Sequence, residues 1–232
     1  MPACLLPIAP GDILKESIRQ VGESMADVQY RNAKSEHLAG IADVFLTAFP
    51  DSVRHYAGCT LRPAVMKDVF RICREAEPES LFVAQVDDRV AGYIFAPVDL
   101  PRLVRYFVWH GPLLRMGWRW ITGRYGIGLR PALMAGWNWI ALWGEARQPE
   151  LHSDARILSV AVSPKFQGMG IGSGLMRVAL DHLSAAGAKK VRLEVRPGNP
   201  AAIHIYEKYG FRIEGKTRDT QGEWLIMLAD LR

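Results

Sequence analysis

Cysteine is scarce in this chain. Its 232 residues hold three, Cys4, Cys59 and Cys73, scattered and odd in number. That excludes a disulfide framework and a spaced zinc set, and predicts a reducing, cytoplasmic setting with no metal. Long apolar runs are missing as well. The longest charge-free part of the tryptophan-rich stretch, 131–144, is too short to cross a bilayer. The opening MPACLLPIAP has no basic residue ahead of its apolar stretch and is broken by prolines, so it does not read as a signal peptide. No lysine follows the glycine cluster at 168–172, which rules out the phosphate loop of nucleoside triphosphatases. The dinucleotide fingerprint fails too. Counted from Gly168 its third glycine falls on Ser173, and counted from Gly170 it falls on Leu175.

What is present is a core's worth of apolar residues, 49%, and one glycine-rich turn between a strand and a helix. The segment LSVAVSPKFQGMGIGSG, 158–174, runs from an apolar strand through a proline into Gln167-Gly168-Met169-Gly170-Ile171-Gly172. Bare glycines expose successive backbone N–H groups, and a helix starting there adds its own unpaired donors and the positive end of its dipole. The turn therefore predicts a seat for a phosphate or pyrophosphate. The alternative is a turn with no ligand. Gln167, Gly170 and Gly172 fit the pattern Gln/Arg-x-x-Gly-x-Gly/Ala.

Downstream, an apolar helical face at 173–186 ends at Gly187, and 190–195 alternates as a strand with Arg192, Glu194 and Arg196 opposite Val191, Leu193 and Val195. Asn199 is a helix cap and Pro200 a first-turn residue. The glycine pattern followed by LEVRPGNPAAIHIYEKYGF resembles the two signatures of the GNAT superfamily of N-acetyltransferases, in wording closest to ribosomal-protein alanine N-acetyltransferases. The wording covers about 156–228, and the order of elements extends it back to about residue 28.

The resemblance implies an α/β GNAT fold: a central twisted mixed β-sheet flanked by helices. The upstream pattern agrees. A strand is expected at 28–31, a helix at 35–49 capped by Ser35, a helix at 63–76, and strands at 81–86 and 90–96 joined by Asp87-Asp88-Arg89. Residues 1–27 read as an extension with a short helix at 12–24, and 28–232 as the domain. After Phe211 come a strand, a polar turn at 219–222 and a last strand at 223–228, read as a short hairpin.

The resemblance further implies acetyl-CoA as acyl donor and a primary amine as acceptor, with direct attack and no acyl-enzyme. The N–H groups of Val160, Ala161 and Val162 would hold the pantetheine arm and polarise the thioester. Gln167, Gly168, Met169, Gly170, Ile171 and Gly172 would seat the pyrophosphate, with Ser173 adding a hydroxyl. Asn199 would bind the pantetheine arm or cap its helix. Tyr206 would protonate the leaving thiolate, or else is a core tyrosine. Glu194 would be the general base, or else an ion-pair partner of Arg192, Arg196 or Arg156. Asp154, His110, His152 and His204 are weaker candidates. Asp51, His55 and Tyr56, read as lying in a loop between the first helices, are acceptor contacts. A CoA-binding sensor or membrane-associated module without turnover is the alternative, and a longer acyl group stays open. Nucleic acid is not an expected partner, and a homodimer is left open.

The chain departs from a compact plan at 98–150, an insertion between the third and fourth strands. It holds six of the seven tryptophans, seven arginines, no lysine and three acids, a formal +4 out of the chain's +5. Its glycines and prolines predict short helices. Three readings stand: a flap with its own small core, a lid walling the acceptor site, or a peripheral contact with a membrane or anionic ligand through Arg and Trp.

Overall fold

The computed structural model describes residues 28–57, 61–125 and 153–231. The expected helix at 12–24, Cys4, Cys59, His152 and the second part of the insertion lie outside the described residues.

Strand β1 (Gln29–Asn32) precedes a 3-10 turn (Ser35–His37) and helices α1 (Leu38–Ala48), α2 (Pro50–Ala57) and α3 (Pro63–Ala76). The hairpin of β2 (Leu81–Val86) and β3 (Arg89–Phe95) leads into α4 (Leu100–Trp109) and α5 (Pro112–Ile121). Then come β4 (Ala155–Ile157), β5 (Ser159–Val162), α6 (Ile171–Ala185), β6 (Lys190–Val195), α7 (Pro200–Lys208), β7 (Arg212–Asp219) and β8 (Gly222–Asp230).

The expected mixed sheet is parted into two four-stranded sheets. One has the order β1-β2-β3-β5 with every pair antiparallel; the other has the order β4-β6-β8-β7, where only β4 and β6 run parallel. The chain changes sheets at Leu158. Up to Ile157 it lies against Leu193 of β6; from Ser159 it lies against Phe95 of β3. Beyond that point β5 and β6 share no register, so a wedge opens between them.

Apolar packing holds the wedge open from behind. Leu175, Met176, Ala179 and Leu183 of α6 share one cluster with Ile94 of the first sheet and with Leu193, Val195 and Met227 of the second. In front, α1, α3 and α4 cover the first sheet through Leu38, Ile41, Phe70 and Leu103 against Val83, Tyr93 and Ala161. Burying one such side chain contributes roughly 1.5–3 kcal/mol. Gly174 sets how closely α6 approaches β1, because a Cβ there would fall on the Tyr30 ring.

Four expectations are corrected. Ser35 is not the cap of the first helix. Ser35 instead opens the 3-10 turn that leads into α1: Lys34 caps that turn, its N–H donating to His37 Nδ1 at 3.0 Å, His37 is the residue before α1, and Ser35 Oγ accepts from Arg74 at 3.2 Å. The buried His37 ring satisfies the exposed helix start, a role that residue-type preference does not foresee. Asp51, His55 and Tyr56 stand on α2, not in a loop; Pro50 opens that helix with its backbone already preset. The final hairpin, expected to be short, is long: β7 runs over Arg212–Asp219 and β8 over Gly222–Asp230, with the turn where it was expected. The turn expected at Asp87-Asp88-Arg89 is one residue shorter: Arg89 opens β3, and Asp87 and Asp88 take φ of 47° and 61°, the left-handed geometry a two-residue hairpin requires.

Candidate active site at the parting of the sheets

The open edge of β5 forms one wall of the wedge. Ser163 N–H donates to Ala91 C=O at 2.8 Å, and the pairing continues in register through Ala161↔Tyr93. Strand alternation therefore aims the Ala161 N–H at β3 and the N–H groups of Val160 and Val162 into the wedge. Of the three expected donors, the geometry makes Val160 and Val162 available and occupies Ala161.

The glycine turn stands where β5 ends. Gly168 and Gly170 have φ of 82° and 74°, a conformation that costs any other residue strain. Gly170 caps α6, and the first ladder bond is Gly174 N–H to Gly170 C=O at 3.1 Å. The N–H groups of Ile171, Gly172 and Ser173 thus have no acceptor within the helix. Gly168, Met169 and Gly170 are exposed, so these donors face solvent at the positive end of a four-turn helix. Gln167 Nε2 donates back to Val162 C=O at 3.4 Å, bracing the turn.

Helix α7 forms the rear wall. Asn199 Oδ1 accepts from Ala202 N–H at 3.1 Å, the cap expected, and its Nδ2 has no hydrogen bond among the described residues. Tyr206 is 8% exposed, and its hydroxyl has no partner among the described residues. Burial pushes this phenol up to about 12. Tyr209, which sequence reasoning passed over, donates its hydroxyl to Ser173 C=O at 2.5 Å and ties α7 to the first turn of α6.

Glu194 stands on the opposite face of β6 from Leu193 and Val195. Its Oε1 accepts from Arg192 Nε at 2.6 Å and lies 3.8 Å from Arg156 Nη1. Arg192 is only 1% exposed. Both contacts fall on one oxygen; Oε2 carries none among the described residues. Tyr206 behind and Glu194 in front thus flank the wedge from the two faces of β6. Asp154 is otherwise engaged, accepting from the Lys189 and Lys190 N–H groups at 2.9 and 3.0 Å. His204 lies on the exposed face of α7, and His110 stacks on Tyr106.

A polar bridge crosses the front. Ser52 Oγ donates to Gln221 at 3.1 Å, His55 Nε2 lies 3.2 Å from the Thr220 hydroxyl, and the Tyr56 hydroxyl donates to Asp219. Asp219 also accepts from Trp224 Nε1 at 2.7 Å and Gln221 N–H at 2.8 Å, and Arg196 approaches it at 3.3 Å. The Arg196 guanidinium lies 3.7 Å over the Trp224 ring. Burial alone would raise the Asp219 carboxyl, but the Tyr56, Trp224 and Gln221 hydrogen bonds and the Arg196 charge hold it below its ordinary value. Burial and the same carboxylate push Tyr56 up to about 12. Of the ion-pair partners named for Glu194, Arg192 and Arg156 meet it and Arg196 turns to Asp219; Asp219 and Trp224 were given no role from sequence. The alternation that places Arg196 beside Glu194 was the available signal.

A cavity of about 710 Å³ lies elsewhere, between α1, the β2–β3 turn and Ser163–Lys165. It is lined by Glu36, Asp43 and Asp88 and by none of the candidate catalytic side chains. Among the described residues no cluster of three metal-ligating side chains occurs.

Residues 45–211 match the acetyltransferase (GNAT) family. The chain belongs to that family. This GNAT chain is 41% identical over 71 residues to a mycothiol acetyltransferase of Corynebacterium glutamicum, which is 31% of the chain and 23% of the relative. It is 40% identical over 58 residues to the ribosomal protein bS18 alanine N-acetyltransferase of Escherichia coli, 25% of the chain and 39% of the relative. The GNAT chain therefore spans well under half the length of these curated relatives. Its fold matches that of yncA from Salmonella typhimurium, solved with its cofactor acetyl-CoA. The TM-score there is 0.56 at 14% identity, over 88% of this chain and 94% of that one.

Proposed function

We propose that this protein transfers an acetyl group from acetyl-CoA to a primary amine by direct attack. The observation that carries the reading is the parting of the sheets at Leu158, with outward N–H groups along one wall and the glycine-turned start of α6 at its mouth. A thioester with a pantetheine arm and a pyrophosphate fits that order of donors. Val160 and Val162 N–H would hydrogen-bond the arm and the thioester oxygen, where negative charge develops. Gly168 to Ser173 would hold the pyrophosphate. Asn199 Nδ2 is free to meet the arm while Oδ1 caps α7.

The amine attacks the thioester carbon; its nitrogen–carbon bond forms as the carbon–sulfur bond breaks. Glu194 Oε2, directly or through one water, accepts the amine proton. Tyr206 stays protonated through the neutral range, since burial holds it near 12. A phenol that weak stabilises the departing thiolate chiefly by donating a hydrogen bond, because a thiol ordinarily titrates near 8.5. The amine enters from the front, past the Asp219 bridge. The acceptor is a primary amine, small or borne on a peptide.

The Arg192 grip on Glu194 favours a second reading, a CoA-binding module without turnover. Thiol release from acetyl-CoA, measured over a panel of small amines and peptide N-termini, decides between them. Amine-dependent release that falls in Glu194→Gln supports the transferase. Binding of acetyl-CoA with no amine-dependent release supports the module.

A further inference from the structure

Two arginines tie helix α5 to α3. Arg119 pairs with Asp68, and Arg115 reaches Glu75 at 3.1 Å, so α5 docks on α3 through charge. Asp68 is buried and also accepts from Arg71 at 2.8 Å and the Tyr125 hydroxyl at 2.8 Å. The opposite side of α5 is apolar and faces solvent. Leu114, Trp118 and Ile121 are 81%, 68% and 73% exposed, spaced i, i+4, i+7 along one stripe. Trp109, 80% exposed, ends α4 just before the turn into α5, on the same face of α4 as the exposed Arg102 and Arg105.

Proteins that act alone in water seldom leave such a stripe bare. Its charge surroundings choose the partner. Residues 100–125 hold five arginines and no aspartate or glutamate. With Arg115 and Arg119 paired to α3, Arg102, Arg105 and Arg124 have no ion pair among the described residues. A symmetric contact between two copies would set these arginines against each other. A surface of negative charge over an apolar interior matches both features, and Trp at the edge of an apolar face suits a headgroup boundary. No helix among the described residues is long and apolar enough to cross a membrane, so the geometry is one of lying on the surface.

We propose that the outer face of α4 and α5 rests on an anionic lipid bilayer, with Leu114, Trp118 and Ile121 in the acyl boundary and Arg102, Arg105 and Arg124 among the headgroups. The inference does not depend on acyl transfer.

The test is co-sedimentation of the full chain with vesicles of phosphatidylcholine mixed with phosphatidylglycerol, and with phosphatidylcholine alone. Binding to the mixed vesicles at least about tenfold tighter than to the neutral ones, weakened by salt, is expected. Leu114→Asp with Trp118→Asp, and separately Arg102→Glu with Arg105→Glu, should each lower binding about tenfold. All four side chains are exposed, so both variants should keep the wild-type melting profile. Failure to sediment with the mixed vesicles overturns the proposal, as does binding that neither pair changes. A dimer that the Leu114/Trp118 pair dissolves, without vesicle binding, assigns the face to a second copy and also overturns it.

Discussion

The wedge and the α4–α5 arm invert each other. At the wedge, apolar walls surround backbone donors left unpaired at Val160, Val162 and the first turn of α6. On the arm, ion pairs at Asp68 and Glu75 hold a helix whose apolar stripe is left bare. Each region leaves unsatisfied what its packing could have covered. Unpaired N–H groups call for an oxygen-rich ligand; bare Trp, Leu and Ile call for an apolar surface. Position follows from what holds each part: the wedge from two sheets gripping one helix, the arm from the apolar seat of α4 at Leu103 and the charged contacts of α5.

The sharpest way to separate the two regions is Tyr206→Phe. Turnover should fall about 10²–10³-fold while acetyl-CoA affinity and vesicle binding stay put, since only a hydrogen-bond donor to the departing thiolate is removed. Steady-state thiol release beside a binding titration checks this. An unchanged rate removes Tyr206 from the chemistry.

Asp68→Asn should act on the arm alone. Breaking a buried charged hub costs on the order of 3 kcal/mol, and hydrogen exchange should rise across α5 with the wedge unaffected. The pH dependence carries a definite sign. Burial alone would raise the Asp68 carboxyl, but hydrogen bonds from Arg119 and Tyr125 and the charges of Arg119 and Arg71 lower it. A depressed carboxyl contributes stability that is full above the unfolded value near 3.9 and is lost as pH falls through the folded one. Wild-type docking of α5 should therefore weaken on acidification below about pH 4, and Asp68→Asn should flatten that slope.

Gly174→Ala tests the frame of the wedge. The added methyl meets the Tyr30 ring, so a loss of about 1–3 kcal/mol is expected on thermal melting. Adding Tyr30→Ala should make the methyl harmless; additive losses would show that the two do not touch. Smallest is Asp219→Asn, which weakens the α2 bridge by roughly 1–2 kcal/mol. It should raise KM for the amine and leave acetyl-CoA binding unchanged.

Local signals made much of this legible from sequence. The glycine turn, the Asn199-Pro200 start of α7 and the Asp87-Asp88 hairpin are each written in adjacent residues, and the structure places them as read. Parting of the sheets at Leu158 is not local. It depends on β3 and β6 each pairing with part of one extended stretch, 155–162, and nothing between Ile157 and Ser159 marks the exchange. The Asp219 bridge joins residues more than a hundred and sixty apart in sequence, so no spacing could announce it. Within the insertion, composition showed Arg and Trp together. Only the structure shows that on α5 the arginines pair with α3 while the apolar stripe faces outward.

The central claim is that the start of α6 and the edge of β5 hold acetyl-CoA. Calorimetric titration of acetyl-CoA into wild type and into Gly170→Val tests it most directly. Gly170 sits at φ of 74°, where a β-branched residue is strained, so its replacement should deform the seat. The account predicts saturable one-to-one binding in wild type and at least tenfold weaker binding in the variant, about 1.4 kcal/mol. Equal affinity in the two proteins, or no binding to wild type, would contradict it.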